Sequence, residues 1–370
     1  MAKKIIDLFA GCGGMSLGFQ NAGFEIISAY DNWQPAIDIY SANFNHPIIK
    51  KDLSKEDITG EIINSNPDMI IGGPPCQDFS IAGKRNFQGT RANLTIVFSN
   101  IIKTVKPRWF VMENVYNIEK SPIFNEAIQI LKDAGYGLTS HIWDASYMGV
   151  PQMRRRYFVI GKFNAEDNFI LDKIKSNLSK ERMTLRNYLK NTSLELDTDY
   201  YYMHPRSYAR RAIFSVDEPS ATIRGVNRPI PIGYKFHNAD KIKDLEKVRQ
   251  LTYKERSYIQ TFPYDFIFEG AKTDVEQAIG NAVPVKMAEF IANVIKSYMN
   301  DLISGNFVIY DFLYECLADH IESFVYDLTF IESEKVIHVY YDQLLNDSRQ
   351  VSYNLYTLVI TIFEDNEWRF

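Results

Sequence analysis

The sequence predicts an α/β fold: a mostly parallel sheet with helices on both faces, plus a smaller loop-rich module. Three observations lead there. Short apolar runs alternate with helix-like stretches through about the first 160 residues, the pattern of βαβ units. Residues able to do chemistry fall just after those runs, where open parallel sheets bind their ligands. Near Phe163 the alternation stops, and tyrosines, prolines and basic residues take over.

The elements follow in order. Ile5–Phe9 is a strand ended by glycines, and Met15–Ala22 the helix after it. Ile26–Tyr30 and Pro35–Asn43 repeat the unit. Met69–Ile71 is a third strand, stopped by Pro74-Pro75, whose fixed φ and missing N–H leave a stiff turn. Leu94–Lys106 reads as a helix, Trp109–Met112 as a strand entering Glu113, Phe124–Ala134 as a helix and Tyr157–Gly161 as a strand. Helical pattern returns at Lys254–Thr261 and Pro284–Tyr298. The expected division is 1–162, 163–250 for the loop-rich module, 251–300 returning to the first domain, and 301–370 as an extension. In that extension Phe312–Phe330 reads as helix, and Val336–Tyr341 and Tyr353–Phe363 as strands.

Composition narrows the function classes. No apolar run approaches the roughly 20 residues that span a bilayer, and the N-terminus carries no secretory pattern. Cys12, Cys76 and Cys316 lie far apart, which argues for a reducing cytoplasm and against both a disulfide framework and a structural metal. The net charge of −5 hides an asymmetry. Residues 301–370 hold 13 Asp/Glu against 3 Lys/Arg, leaving 38 Lys/Arg and 33 Asp/Glu in residues 1–300. The first 300 residues are therefore mildly basic, which keeps a nucleic-acid partner open.

Five motifs carry the chemistry: DLFAGCGG (7–14), PPCQDFS (74–80), ENV (113–115), PQMRRR (151–156) and GNAVPV (280–285). The first is a glycine-rich strand-to-helix turn, either a cradle for a ligand or simply a tight connection. Asp31 follows the second strand, placed for ribose hydroxyls or as a helix N-cap. Cys76 sits on the Pro-Pro turn at the rim of the sheet. A lone cysteine is more often a small buried hydrophobe than a nucleophile.

In this order and spacing the motifs resemble the bacterial DNA (cytosine-5)-methyltransferases of restriction–modification systems, over residues 4 to about 298. The resemblance implies a Rossmann-like S-adenosylmethionine-dependent methyltransferase domain, with the 163–250 module as target-recognition domain. It implies methyl transfer from S-adenosylmethionine to carbon 5 of cytosine in duplex DNA, with S-adenosylhomocysteine as product and no metal. It also implies a cytoplasmic enzyme with no membrane partner, paired functionally with a cognate restriction endonuclease. The matching cofactor positions are Phe9, Gly11, Gly13, Asp31, Asp52, Asn281 and Val283. Asn32 separates Asp31 from Trp33, a departure that leaves Trp33 either on the adenine or in the core.

Cys76 matches the nucleophile, whose thiolate adds to carbon 6 so that carbon 5 can attack the methyl group. Glu113 matches the carboxyl on the cytosine edge, stabilising the ring when protonated in a dry pocket. Arg154 and Arg156 are candidates to favour the thiolate, since alternate strand residues share a face; phosphate contact or a surface strand are the other readings. Asn114 holds the loop. A base stacked in duplex DNA must rotate out to reach the thiol, and Ser80, Lys84, Arg85 and Arg91 suit that task, beside the plainer reading of a solvated loop. PSATIRG (219–225) resembles a short element of the family's target-recognition region, which implies a place for Thr222 near the flipped nucleotide. Arg206, Arg210, Arg211, Arg224 and Arg228 are candidate DNA contacts or an exposed charged face. Two alternatives stand: an RNA (tRNA) cytosine-5 methyltransferase, decided by substrate competition, and a silent DNA-binding regulator, against which the intact PPCQ and ENV argue.

Overall fold

Consecutive apolar residues in each central strand point to opposite faces, so the sheet becomes a buried partition between two cores. The computed structural model describes residues 3–75 and 94–304, apart from 193 and 208. Strands β1 (Lys4–Leu8), β2 (Glu25–Asp31), β3 (Ile48–Lys50), β4 (Met69–Gly72), β5 (Trp109–Val115), β6 (Tyr136–Asp144) and β7 (Arg155–Phe163) form one sheet ordered β3-β2-β1-β4-β5-β7-β6. The first five run parallel, and β7 runs antiparallel to both β5 and β6.

On one face Ile5, Ile71, Val111 and Ile160 pack against Phe19 of α1 (Gly14–Asn21) and Met287, Ile291 and Ile295 of α10 (Val285–Ser304). On the other, Ile6, Ile70, Phe110 and Val159 meet Ile62 of α3 (Thr59–Ser65), Phe98 of α4 (Leu94–Val105) and Leu131 of α5 (Pro122–Asp133). Full burial of such side chains contributes about 1.5–3 kcal/mol each. The C-terminal return is thus a core layer: α10 covers a face that the first half of the chain leaves bare. Residues 272–301 contain an 18-residue window apolar enough to span a membrane, yet 72% of that window is buried inside the fold.

The smaller sheet, β8 (Tyr200–Tyr202), β9 (Ile213–Ser215) and β10 (Val248–Gln250), ordered β10-β8-β9, shares a core with Ile39 of α2 (Gln34–Ser41) and with Ala278 and Ile279 of the C-terminal return. Its tyrosines Tyr201 and Tyr202 are buried core residues. Helix α6 (Leu171–Asn177) packs instead with the large sheet, through Ile170 and Ile174. The remaining helices are α7 (Leu185–Lys190), α8 (Tyr253–Ile259) and α9 (Lys272–Asn281). The elements expected within 301–370 lie outside the described residues, as do Cys76, Ser80, Lys84, Arg85 and Arg91.

Candidate active site

The sheet brings three chain ends to one edge. Leu8 pairs with Gly72 and Gly72 with Met112, so the turns after β1 and β4 and the last residues of β5 emerge side by side.

The turn after β1 is left-handed at Phe9 (φ 59°) and Gly11 (φ 56°). A side chain at Phe9 in that region is strained and held by its surroundings. At Gly11 a Cβ would meet nothing within 4 Å, so the backbone lines open space. The Gly11 N–H donates to Asp31 Oδ2 at 2.8 Å, and the Trp33 N–H to Asp31 Oδ1 at 2.9 Å. Asp31 therefore clamps two loops and does not cap α2, whose N-cap is Trp33. Burial pushes its carboxyl above the usual range, opposed by those backbone donors. Gly13 precedes α1 with φ 92°. Trp33 is partly buried and packs on the cluster that includes Ile259 and Val285.

Val283 comes back from the far end of the chain to close this corner. A Cβ on Gly14 would lie 2.2 Å from the Val283 carbonyl oxygen, so only glycine admits the approach. Asn281, exposed at the end of α9, accepts from Gln277 at 3.4 Å. Asp52 serves its own turn: it accepts from Ser54 Oγ at 2.5 Å and pairs with Lys55 at 2.8 Å, which hold its pKa at about 2.

At the end of β5 the Glu113 carboxylate is buried and accepts from Arg156 Nε at 2.9 Å. Burial raises its pKa, and the Arg156 and Arg154 guanidiniums offset part of that rise. Its other oxygen, Oε2, lies 3.2 Å from where a Cβ on Gly73 would stand, so it faces the Gly-Gly-Pro-Pro turn. Asn114 Nδ2 donates to the Pro74 carbonyl at 2.8 Å and fixes that turn, as expected of it.

The three arginines of PQMRRR part company. Arg156 goes to Glu113, and Arg155 is exposed over the Tyr116 ring at 5.2 Å. Arg154 is buried, and its guanidinium donates to the carbonyls of Ile223 (2.9 Å), Gly280 (3.1 Å) and Ala282 (3.0 Å). Sequence reasoning overlooked its companions. Gln152 accepts from the Ile223 N–H and donates to Gln260 Oε1 at 2.7 Å; Gln260 in turn donates to Ile279 O and Ala282 O. Gln152 lay inside a recognised motif and could have been read as a buried amide, whereas Gln260 had no local signal. Thr222 Oγ1 donates to Met153 O at 2.7 Å, and Arg224 to the His204 carbonyl. Arg211 is consumed by a two-bond pair with Glu218 and by the Phe214 ring.

The arrangement gives a buried carboxyl–guanidinium pair facing a rigid turn, beside a glycine-lined cradle with a carboxylate at its edge. The sequence matches the C-5 cytosine-specific DNA methylase family over residues 3–297. The chain belongs to that family. This methylase is 56% identical over 297 residues to the Type II methyltransferase M.HindV of Haemophilus influenzae, covering 80% of this chain and 97% of that one. It is 53% identical over 298 residues to M.HgiDI of Herpetosiphon aurantiacus, covering 80% and 95%. Among solved structures it resembles the S. pombe Dnmt2 methyltransferase, with TM-score 0.62 and 18% identity, covering 81% of this chain and all of that one. An E. coli prophage-encoded DNA modification methyltransferase gives TM-score 0.58 and 24% identity over 81% of this chain. The methylase has the expected Rossmann-like fold and is an enzyme of DNA modification.

Proposed function

We propose that this methylase modifies carbon 5 of cytosine within a short duplex DNA sequence, with Cys76 as nucleophile and S-adenosylmethionine as donor. The observation that carries the reading is the Glu113–Arg156 pair aimed at Gly73, three residues before Cys76. The residues fit the cofactor: the Gly11 backbone lines open space, and Asp31 presents carboxylate oxygens at the end of β2 for ribose hydroxyls. We assign Phe9, Gly13 and Val283 to that cradle and Asn281 to its return side; Asp52 would serve the adenine end on exchanging its Ser54 or Lys55 partner for the ligand. When bound, S-adenosylmethionine supplies an electrophilic methyl group.

The chain's own residues do the rest. The Cys76 thiolate adds its electron pair to carbon 6 of a base rotated out of the helix. The ring electrons shift to carbon 5 and the N3 side, where the Glu113 carboxyl donates a proton, held in line by Arg156. After methyl transfer, water takes the carbon-5 proton. The electrons of that carbon–hydrogen bond re-form the double bond between carbon 5 and carbon 6 as the carbon–sulfur bond breaks and the Cys76 thiolate leaves, and N3 returns its proton to Glu113. Ser80, Lys84, Arg85 and Arg91 contact the backbone around the vacated position, and Thr222 and Arg224 border the flipped nucleotide. Arg154 stands behind the site as a positioning residue.

Relatives named Type II methyltransferases support a cytoplasmic restriction–modification role with a cognate endonuclease, over the RNA-directed and silent alternatives. A duplex carrying 5-fluorocytosine at the preferred site, mixed with the protein and donor, should give a covalent complex that Cys76→Ser does not form. A complex of equal yield with the serine variant would overturn the assignment of the nucleophile.

A further inference from the structure

A lone isoleucine stands entirely in solvent on the smaller sheet's side of the molecule. Ile232 is 107% exposed, with Val226 (46%) and Phe236 (37%) also exposed in the same eleven-residue stretch. Its position is built. Pro231-Ile232-Gly233-Tyr234 is a β-turn closed by the Tyr234 N–H on the Pro231 carbonyl at 3.1 Å, with Gly233 at φ 70°. Glycine with positive φ at the third position and a stiff proline at the first put Ile232 at the outer corner.

The base of the turn is anchored. Tyr234 packs edge-on against Tyr202 and Phe236, with ring centroids 5.8 and 5.7 Å away, and its hydroxyl donates to Asp240 at 2.8 Å. Asp240 also accepts from the Ala212, Ile213 and His237 N–H groups. Ile230 packs into the same cluster as Tyr202 and Ile213. A rigid mount that holds a large apolar side chain wholly in water has no use in folding, where that side chain gains nothing.

Charge says what meets it. Residues 224–243 contain Arg224, Arg228, Lys235, Lys241 and Lys243 against Asp240 alone, whose carboxylate is taken up by four donors. Arg228 and Lys235 are exposed on either side of the turn in sequence. The stretch continues directly from Thr222 and Ile223, which are bonded to Met153 and Arg154 beside the Glu113–Arg156 pair. A polyanion with apolar features between its charges fits such a surface: duplex DNA, whose grooves expose thymine methyls and base steps between two rows of phosphates.

We propose that Ile232 is a specificity-determining residue, an apolar tip that contacts base edges of the duplex while Arg228 and Lys235 hold the flanking phosphates. The inference rests on the reading of this chain as acting on a duplex site. The test compares wild-type enzyme, Ile232→Ala and Arg228→Ala/Lys235→Ala, first by bisulfite sequencing of DNA from expressing cells, then by kcat/KM on purified duplexes varied one base pair at a time. Ile232→Ala, an exposed change that leaves the fold intact, should lower discrimination at one base pair about tenfold. The double variant should weaken all duplexes alike and flatten the salt dependence. An unchanged site pattern for Ile232→Ala, with discrimination within twofold at every position, would overturn the proposal, as would a loss confined to association with a protein partner. Absence of duplex methylation by the wild-type enzyme would instead overturn the duplex reading itself.

Discussion

Arg156 reaches Glu113 with its Nε at 2.9 Å and leaves the second carboxylate oxygen turned toward the Gly73 backbone. One oxygen is thus committed to the guanidinium while the other remains for a ligand. Desolvation raises the carboxyl's pKa, and Arg156 limits the rise, so the group sits nearer the range useful for donating a proton than an exposed glutamate. Replacing it by Glu113→Gln keeps the shape and removes the exchangeable acid. Single-turnover methyl transfer should fall by about 10²–10⁴-fold, the usual worth of a general acid. Binding of S-adenosylhomocysteine, followed by calorimetry, should change less than threefold, roughly 0.6 kcal/mol. A glutamine variant with wild-type turnover would remove Glu113 from the chemistry.

The neighbouring arginines should separate stability from activity. Arg154 satisfies three buried carbonyls from segments as far apart as Ile223 and Ala282. Arg154→Met strands the Ile223 and Gly280 acceptors, each at about 1–3 kcal/mol, while Ala282 keeps its bond from Gln260, and it should lower unfolding stability by several kcal/mol with a matching drop in the urea midpoint. Arg156→Met leaves Glu113 buried without its partner, so the carboxyl pKa should climb further and the pH–rate profile should move upward. Equal loss of stability in both variants would contradict this division.

Much of the architecture was legible because it is written in local pattern. Strands β1, β2, β4, β5 and β7 are apolar runs, and helices α1, α2, α4 and α5 fall within two residues or so of their expected limits. Three elements escaped within residues 1–162, and α6, α7, β8, β9, β10 and α9 escaped beyond them. In β6 the buried residues Tyr136–Thr139 include Gly137 and Thr139 and are followed by exposed His141, so this edge strand shows neither an apolar run nor clean alternation in sequence. Strand β3 has only three residues, and α3 lacks a side-chain cap. The site was legible where a motif is contiguous, as with Glu113 and Asn114. It was not legible where partners lie far apart in sequence. Alternation placed Arg154 and Arg156 on one face, but β7 begins at Arg155, and Arg154 turns to Gly280 and Ala282, 126 and 128 residues away. No spacing rule foretells such a bond.

Two glycines test how tightly the corner is closed. A Cβ at position 280 would stand 2.1 Å from the Gly225 backbone nitrogen, and one at position 14 would stand 2.2 Å from the Val283 carbonyl. Neither neighbour is a flexible side-chain end, so Gly280→Ala and Gly14→Ala should each cost about 1–3 kcal/mol through backbone displacement. At Gly73 the nearest atom is Glu113 Oε2, at 3.2 Å. Gly73→Ala should therefore keep wild-type stability to within about 0.5 kcal/mol while reducing methyl transfer, by pressing on that oxygen. Chemical denaturation and turnover, measured on the three variants together, would show the contrast.

Asp7 gives the last prediction. It lies beneath the Phe9–Gly13 turn, fully buried, accepting from Ser16 Oγ at 2.6 Å with its other oxygen unpartnered. Ser16 accepts from Tyr40, whose hydroxyl meets His46 at 2.6 Å. Burial pushes the Asp7 pKa to about 7, with Asp31 adding to the rise and the Ser16 hydrogen bond opposing it. In the unfolded chain the same group titrates near 3.9. Between those two values the folded state keeps a proton that the unfolded state releases, so this group lowers stability as pH rises from about 4 to 7 and adds no further change above. The full span is on the order of 4 kcal/mol. Asp7→Asn cannot ionise and should lose that component. The wild-type urea midpoint should therefore fall from pH 5 to pH 8 relative to the variant's. Parallel pH profiles for the two proteins would mean that Asp7 is ionised throughout.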